Sequence, residues 1–331
     1  MTDTNLSRRQ LMIGAGLAAT TVAAASQASA LSPALPPLHG KSILITGASS
    51  GFGRLGTEHY ARLGAKVFAT MRNLPRPEAA ELEALAADEG LDITVIEIDV
   101  TSDEQVSAGV AAALAANDGK LDVLINNAGI AYAGPIEAQD MAATQLIFDT
   151  NVYGPHRMSR AVLPAMRAAG SGQIFNVTSQ LGRLVIPGFA QYSPTKFALE
   201  AMSEQMAYEI VTQGIEVTII QPGGYPTDIW ENQTALSKDL KARLPEDLIT
   251  AYGSMTAGMG GGENSGGTTD PMDIPRNIAE IIAMPAGTRP LRRAVHPVAR
   301  PQEAINDVSA KQQMVMLGES PYGPLLKAVL D

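Results

Sequence analysis

Tyr192 and Lys196 stand four residues apart in QYSPTKFALEAM, so a helix through them carries phenol and ammonium on one face. Pro194 lies between them and is tolerated only in a first helical turn, where its missing N–H removes no hydrogen bond. Tyr192 therefore stands at a helix entrance. A phenol titrates near about 10, too high for easy proton exchange at neutrality, and a neighbouring Lys⁺ favours the phenolate. The pair suits proton transfer, with Tyr192 as general acid or base and Lys196 as its electrostatic tuner. Ser179 precedes Tyr192 by thirteen positions, at the end of the apolar run QIFNV. Taken singly, a serine there is a turn former and a Y-x3-K pair is an ordinary pair of helix neighbours. No histidine is near enough in sequence to make Ser179 a hydrolytic nucleophile. His39, His59, His156 and His296 are scattered without metal-ligand spacing, and no metal is expected.

The elements that must position these groups are legible as alternating periods. Ser42–Thr46, Lys66–Thr70, Ile93–Ile98, Leu121–Ile125, Gln173–Val177 and Ile215–Ile220 are short, nearly continuous apolar runs that predict buried strands. Phe52–Leu63, Pro77–Ala87, Asp103–Ala116, Met141–Ala169 and Thr195–Thr212 carry helical spacing between them. Such alternation predicts a doubly wound α/β fold, a mostly parallel sheet with helices on both faces and a ligand crevice at the strands' C-terminal ends. The first strand runs into Gly47-Ala48-Ser49-Ser50-Gly51-Phe52-Gly53 and then directly into a helix. Glycines there let the backbone turn tightly, approach a pyrophosphate and present a helix N-terminus to its charge. The spacing is T-G-x3-G-x-G rather than the general G-x-G-x-x-G.

Thr46-Gly47-x3-Gly51-x-Gly53, Asn126-Asn127-Ala128-Gly129 and Tyr192-x3-Lys196 occur in the order and approximate spacing of the short-chain dehydrogenase/reductase family. The chain resembles that family over about Lys41 to Thr227. The resemblance implies a Rossmann-type domain that transfers hydride between a nicotinamide dinucleotide and an alcohol or carbonyl substrate. It implies that Ser179 hydrogen-bonds the substrate oxygen, that Lys196 also holds the ribose, and that Asn151 holds a water linking Lys196 to solvent. By the same resemblance Asp99 and Val100 lie against the adenine, Asn127 and Gly129 along the adenosine, and Ser49 and Phe52, with Ser50 in the same loop, near the phosphates. Pro222, Gly223 and Thr227 then border the nicotinamide. The second strand ends KVFATMRN, without the carboxylate that would bond NAD ribose hydroxyls, and Arg72 suits a 2′-phosphate. NADP is the expected cofactor, with NAD the alternative. A catalytically silent dinucleotide-binding regulator is the competing function; an epimerase or dehydratase would need a larger separate substrate region. Tyr132, Leu181, Val185, Pro187, Phe189, Trp230 and Met255 are candidate pocket residues, implying an apolar alcohol or ketone of steroid-like or retinoid-like bulk. A homodimer or homotetramer built on Met141–Ala169 and Thr195–Thr212 is expected from the resemblance.

Composition bounds the remainder. Net charge −10 argues against nucleic-acid partners, and the lack of cysteine excludes disulfides and thiolate chemistry. Residues 1–30 combine Arg8-Arg9, an apolar Ala/Gly-rich run and Ala28-Ser29-Ala30, the pattern of a twin-arginine export signal. The apolar run is too short and small-residued for a stable membrane anchor, and the expected destination is the bacterial periplasm, with some protein cytoplasmic. The expected organisation is a linker over 31–40, one domain over 41–300 with a substrate lid near 225–270, and a C-terminal tail over 301–331. Gly258–Gly267 reads as flexible linker.

Overall fold

The computed structural model describes residues 37–261 and 266–330. The export signal with Arg8 and Arg9 lies outside the described residues. Seven strands form one parallel sheet: β1 (Ser42–Thr46), β2 (Lys66–Met71), β3 (Ile93–Glu97), β4 (Val123–Asn126), β5 (Gly172–Val177), β6 (Ile215–Pro222) and β7 (Arg292–Val295). The first half of the chain inserts α1 (Gly51–Arg62), α2 (Pro77–Glu89), α3 (Asp103–Ala115), α4 (Met141–Phe148) and α5 (Gly154–Ala169). The second half adds α6 (Tyr192–Ile210), α7 (Ile229–Lys241), α8 (Glu246–Tyr252), α9 (Ser254–Ala257), α10 (Asp273–Ala283), α11 (Gln302–Leu317) and α12 (Gly323–Leu330).

The spatial order is β3-β2-β1-β4-β5-β6-β7. From β1 the chain steps outward to β3 and then returns to the other side of β1 at β4. The strand order therefore reverses between β1 and β4, which opens a crevice above their C-terminal ends. Register levels those ends, since Thr46 pairs with Thr70, Asn126 with Asn176 and Val177 with Ile220. Alternate residues of each strand feed opposite core layers. Ile43 and Ile45 pack under α1 and α10 with Tyr60, Ile278 and Ile282; Leu44 and Leu124 pack under α3, α5 and α6 with Val110, Met158 and Met206. That two-sided burial explains why the central strands lack a polar alternation.

Two departures from the sequence reading have local causes. The single helix expected over Met141–Ala169 is interrupted by a π-helical turn, Asp149–Tyr153, between α4 and α5. Pro155 follows after Gly154, and its ring and missing N–H are incompatible with an ordinary bond to the carbonyl four residues back, so the turn widens. The residues expected as a C-terminal tail instead form α11 and α12, with α12 packed on α6 and α11 beside β7. Both are short of buried apolar positions, which is why no strong helical period marked them. The helices expected to pair copies of the chain leave Leu146, Tyr153 and Phe197 exposed. No helix among the described residues is long and apolar enough to cross a membrane.

Candidate active site

A cavity of about 490 Å³ occupies the crevice at the C-terminal ends of β1 to β6. Gly47, Ser49, Ser50, Gly51 and Phe52 line it from the loop after β1, and Arg72 from the end of β2. Asp99 and Val100 enter after β3, Asn127 and Gly129 after β4, and Ser179 after β5. Tyr192 and Lys196 come from α6, and Pro222, Gly223 and Thr227 from the end of β6 and the turn beyond it. Two of the expected residues, Gly53 and Asn151, lie beneath the wall rather than on it.

The glycine loop is built for close approach. A Cβ on Gly53 would fall 2.1 Å from the Gly47 carbonyl oxygen and 2.6 Å from Asn127 Nδ2, so the first turn of α1 packs directly on the loop. Asn127 locks it from the other side, donating to the Thr46 carbonyl at 3.0 Å, while the Thr46 hydroxyl accepts from Asn127 N and Ala128 N at 3.0 Å. Gly47 has φ +70° and Gly51 φ +52°, and a Cβ on Gly51 would press on Thr227 at 3.3 Å. The N-terminus of α1 carries no side-chain cap from Ser50 and no acidic residue in its first turn. Its amide groups are thus available to an anion, and the cradle fits the pyrophosphate of a dinucleotide. At the far end, Asp99 Oδ1 accepts from Thr101 N and Oγ1 at 2.9 and 2.7 Å, which fixes the carboxylate at the cavity rim. Arg72 is exposed there and forms no ion pair among the described residues, whereas Arg76, which also lines the cavity, is paired to Glu78 at 2.7 Å.

The reacting end gathers side chains from β5 and α6. The helix starts at Tyr192, with Pro194 in its first turn. Lys196 Nζ lies 5.6 Å from the Tyr192 ring centroid and donates to the Val177 carbonyl at 3.0 Å. Ser179 Oγ accepts from Leu181 N at 3.0 Å, which leaves the hydroxyl hydrogen free for another acceptor. Burial pushes the Tyr192 phenol up to about 12, with the Ser179 hydroxyl pulling it back. Burial pulls the Lys196 ammonium down to about 8, opposed by the Glu200 carboxylate. Asn151 is fully buried in the π-helical turn. Its amide donates to the Ile130 carbonyl at 2.8 Å and to Thr195 Oγ1 at 3.1 Å, and its Oδ1 accepts from Ile130 N at 2.9 Å. These contacts hold the loop segment following Gly129 against the entrance of α6. The widened turn is what aims Asn151 inward.

Above the reacting end the cavity is mostly apolar, with Asn232 and Gln233 as polar exceptions. Leu181, Phe189 and Trp230 line it as expected, with Phe189 and Trp230 edge to face at 6.4 Å. Tyr132 does not; it is buried in a separate cluster with Leu240 and Met259. Val185, Pro187 and Met255 are outside the lining, and Val185 and Met255 are exposed. Ile186, Ile229, Gln233 and Leu236 take those places. Positions 229, 233 and 236 repeat at helical spacing on α7, within the segment expected to form a substrate lid. Arg76 was also missed, although a second arginine immediately before a helix-opening proline marks the same rim. Among the described residues there is no cluster of His, Asp or Glu fit to hold a metal ion.

Residues 41–237 match the family model described as short chain dehydrogenase. The uncharacterized oxidoreductase YusZ of Bacillus subtilis is 35% identical over 266 residues, spanning 78% of this chain and 89% of that protein. Human retinol dehydrogenase 8 is 37% identical over 192 residues, spanning 57% of this chain and 60% of that protein. Among solved structures, a gluconate 5-dehydrogenase from Burkholderia cenocepacia in complex with NADP and tartrate is similar with TM-score 0.55 and 29% identity. That similarity covers 65% of this chain and 88% of that one.

Proposed function

Because the chain belongs to the short-chain dehydrogenase family of oxidoreductases, acting on CH–OH groups with NAD(P), we propose that it interconverts an apolar alcohol and its ketone or aldehyde using NADP(H). The observation that carries this reading is the convergence of Ser179, Tyr192 and Lys196 in one cavity with a bare glycine-rich helix N-terminus. When bound, the dinucleotide supplies or accepts the hydride. In the proposed reduction the Ser179 hydroxyl donates to the substrate carbonyl oxygen, and Tyr192 delivers the proton that the oxygen acquires. In oxidation Tyr192 takes that proton. Lys196 stabilises the phenolate, and Asn151 acts on the site by fixing the backbone around Ile130 and the start of α6. The apolar wall of Leu181, Phe189, Ile229, Trp230 and Leu236 supports a substrate with a bulky hydrocarbon body. A spectrophotometric screen of grouped ketones with NADPH and NADH, and of alcohols with the oxidised forms, tests the reading. No turnover across the panel, with dinucleotide still bound, would favour the silent regulator.

The choice of NADP over NAD rests on Arg72, exposed at the rim without an ion-pair partner among the described residues, and on Thr70 and Met71 where a carboxylate would select NAD. A charge-assisted bond to a 2′-phosphate is worth about 1.5–3 kcal/mol. Arg72→Asp is therefore expected to lower kcat/KM with NADPH by about 10- to 100-fold and to raise the NADH:NADPH ratio. An unchanged ratio would remove Arg72 from the phosphate site.

The proposal extends to location. Arg8-Arg9 supports delivery through the twin-arginine route, which carries proteins already folded and suits an enzyme loaded with a nucleotide made in the cytoplasm. Replacing Arg8 and Arg9 together by lysine is expected to shift the protein from the periplasmic to the cytoplasmic fraction. The same distribution for parent and variant would refute export by this route.

A further inference from the structure

Lys196 and Glu200 lie one helical turn apart on α6, and both are buried, at 5% and 2% exposure. Glu200 is a junction. Its Oε1 accepts from the Thr178 hydroxyl at 2.8 Å and from the Gln221 amide at 2.9 Å, and its Oε2 accepts from Arg292 Nε at 2.9 Å. Each partner adjoins a segment of the cavity. Thr178 precedes Ser179 and follows Val177, whose carbonyl takes the Lys196 proton donor; Gln221 precedes Pro222 and Gly223. The turn after Ser179 rests on the same side chain, since a Cβ on Gly182 would come within 2.9 Å of Glu200 Cγ. One carboxylate thus ties together the ends of β5 and β6 and the first residue of β7 beneath the reacting groups.

Beyond Arg292 the network runs into the C-terminal helices. Arg292 also pairs with Glu204, whose Oε1 accepts from the Tyr208 hydroxyl at 2.6 Å, with Gln313 of α11 beside that hydroxyl at 3.1 Å. Asn306 of α11 donates to Gln221 Oε1 at 2.8 Å, and Gln302 donates to the Gln221 carbonyl at 3.2 Å. Buried charges persist only when compensated. Glu200 and Glu204 face Arg292, Glu200 also stands one turn from Lys196 with Tyr192 beyond it, and the partly buried Arg183 lies against the same cluster.

We propose that Glu200, clamped by Arg292, is a positioning residue of the reaction centre: it fixes the Ser179 end of β5 one helical turn from Lys196, and makes residues 292–317 part of that centre. The inference rests on the oxidoreductase reading for the reaction it serves. Opposite substitutions test it. Glu200→Gln removes a negative neighbour, so Lys196 gives up its proton at lower pH; Arg292→Gln unmasks two carboxylates, so Lys196 holds its proton to higher pH. NADPH affinity, measured by fluorescence from pH 6 to 10, is expected to fall as Lys196 loses its charge. Its midpoint should move down by roughly half a pH unit in Glu200→Gln and up by a similar amount in Arg292→Gln. At pH well below both midpoints, Glu200→Gln should also lower kcat about 10-fold with little change in the KM for cofactor. Generic loosening of the cluster would move both midpoints the same way, and that result, or no movement, overturns the inference. Should Arg292→Gln fail to fold, Arg183→Gln gives the upward shift from the partly buried edge of the cluster.

The opposed shifts have a second readout that needs no cofactor. Lys196 has a lower pKa folded than unfolded, so the unfolded chain holds more protons above the folded value and stability gains with pH across that window. The lower edge of the window, followed by thermal melting, is expected to move down in Glu200→Gln and up in Arg292→Gln. A parent that binds neither NADPH nor NADH overturns the oxidoreductase reading, and the melting profiles still decide the role of Glu200. Binding with unmoved midpoints overturns the inference alone.

Discussion

Tyr192→Phe is expected to lower kcat/KM by about 10³-fold in both directions, within the range for loss of a positioned general acid or base. Melting temperature and dinucleotide affinity should stay near those of the parent. The ring sits beside Lys196 and is tilted 47° against Phe189, and phenylalanine preserves that packing while deleting only the hydroxyl. Lys196 keeps its bond to the Val177 carbonyl, so the cofactor side of the site is undisturbed. The pH profile gives the sign. Oxidation needs the deprotonated phenol, so its rate rises with pH; reduction needs the protonated phenol, so its rate falls. Burial holds the phenol at about 12 and the ammonium at about 8, and the midpoint observed belongs to the pair rather than to either group. Both pH limbs should flatten in Tyr192→Phe. Near-parental turnover on an identified substrate would exclude Tyr192 as the proton-transfer group.

Gly53→Ala should abolish measurable dinucleotide binding, with a loss of 100-fold or more as an order of magnitude, because the methyl has nowhere to go. Its Cβ would lie 2.1 Å from the Gly47 carbonyl oxygen and 2.6 Å from the Asn127 amide. Neither neighbour can yield cheaply. A Cβ on Gly47 would already be 2.9 Å from Ala128 Cα, and Asn127 is committed to the Thr46 carbonyl. The loop must therefore move outward by a distance that breaks its fit to a pyrophosphate. Overpacking of this kind costs about 1–3 kcal/mol, which at this chain length lowers the melting temperature by roughly 2–12 °C. Gly170→Ala is the control. Gly170 has φ +61° with nothing within 4 Å of a Cβ, so it should lose stability through backbone strain and keep full affinity. Calorimetric titration of both variants decides; equal affinity for parent and Gly53→Ala would show that the loop is not the pyrophosphate cradle.

How much of this was legible in sequence follows from the range of each interaction. The strands, the glycine turn and the helix entrance at Tyr192 depend on neighbours within a few residues, and periodicity and proline placement report those directly. The apolar wall was only partly legible. Leu181, Phe189 and Trp230 line it, but Tyr132 belongs to a core cluster with Met259, and Ile229, Gln233 and Leu236 come from the segment expected only as a lid. Which side of α7 faces the cavity is set by how that helix lies over the site, for instance by Ser237 accepting from Ala133 N at 2.8 Å across more than a hundred residues.

The sequence by itself determined that this chain folds as a doubly wound α/β protein and that a phenol and an ammonium share one helical face near a glycine-rich turn. Those features are local, and local sterics and hydrophobic period leave them little alternative. Only the tertiary structure decided what surrounds the pair. It turned Asn151 inward through a widened turn before Pro155, converted an expected tail into two packed helices, and joined Glu200 to Arg292 across 92 positions of sequence. Contacts of that separation leave no periodic trace, because each partner is an ordinary polar residue until the sheet brings the ends of β5 and β6 and the start of β7 together beneath α6.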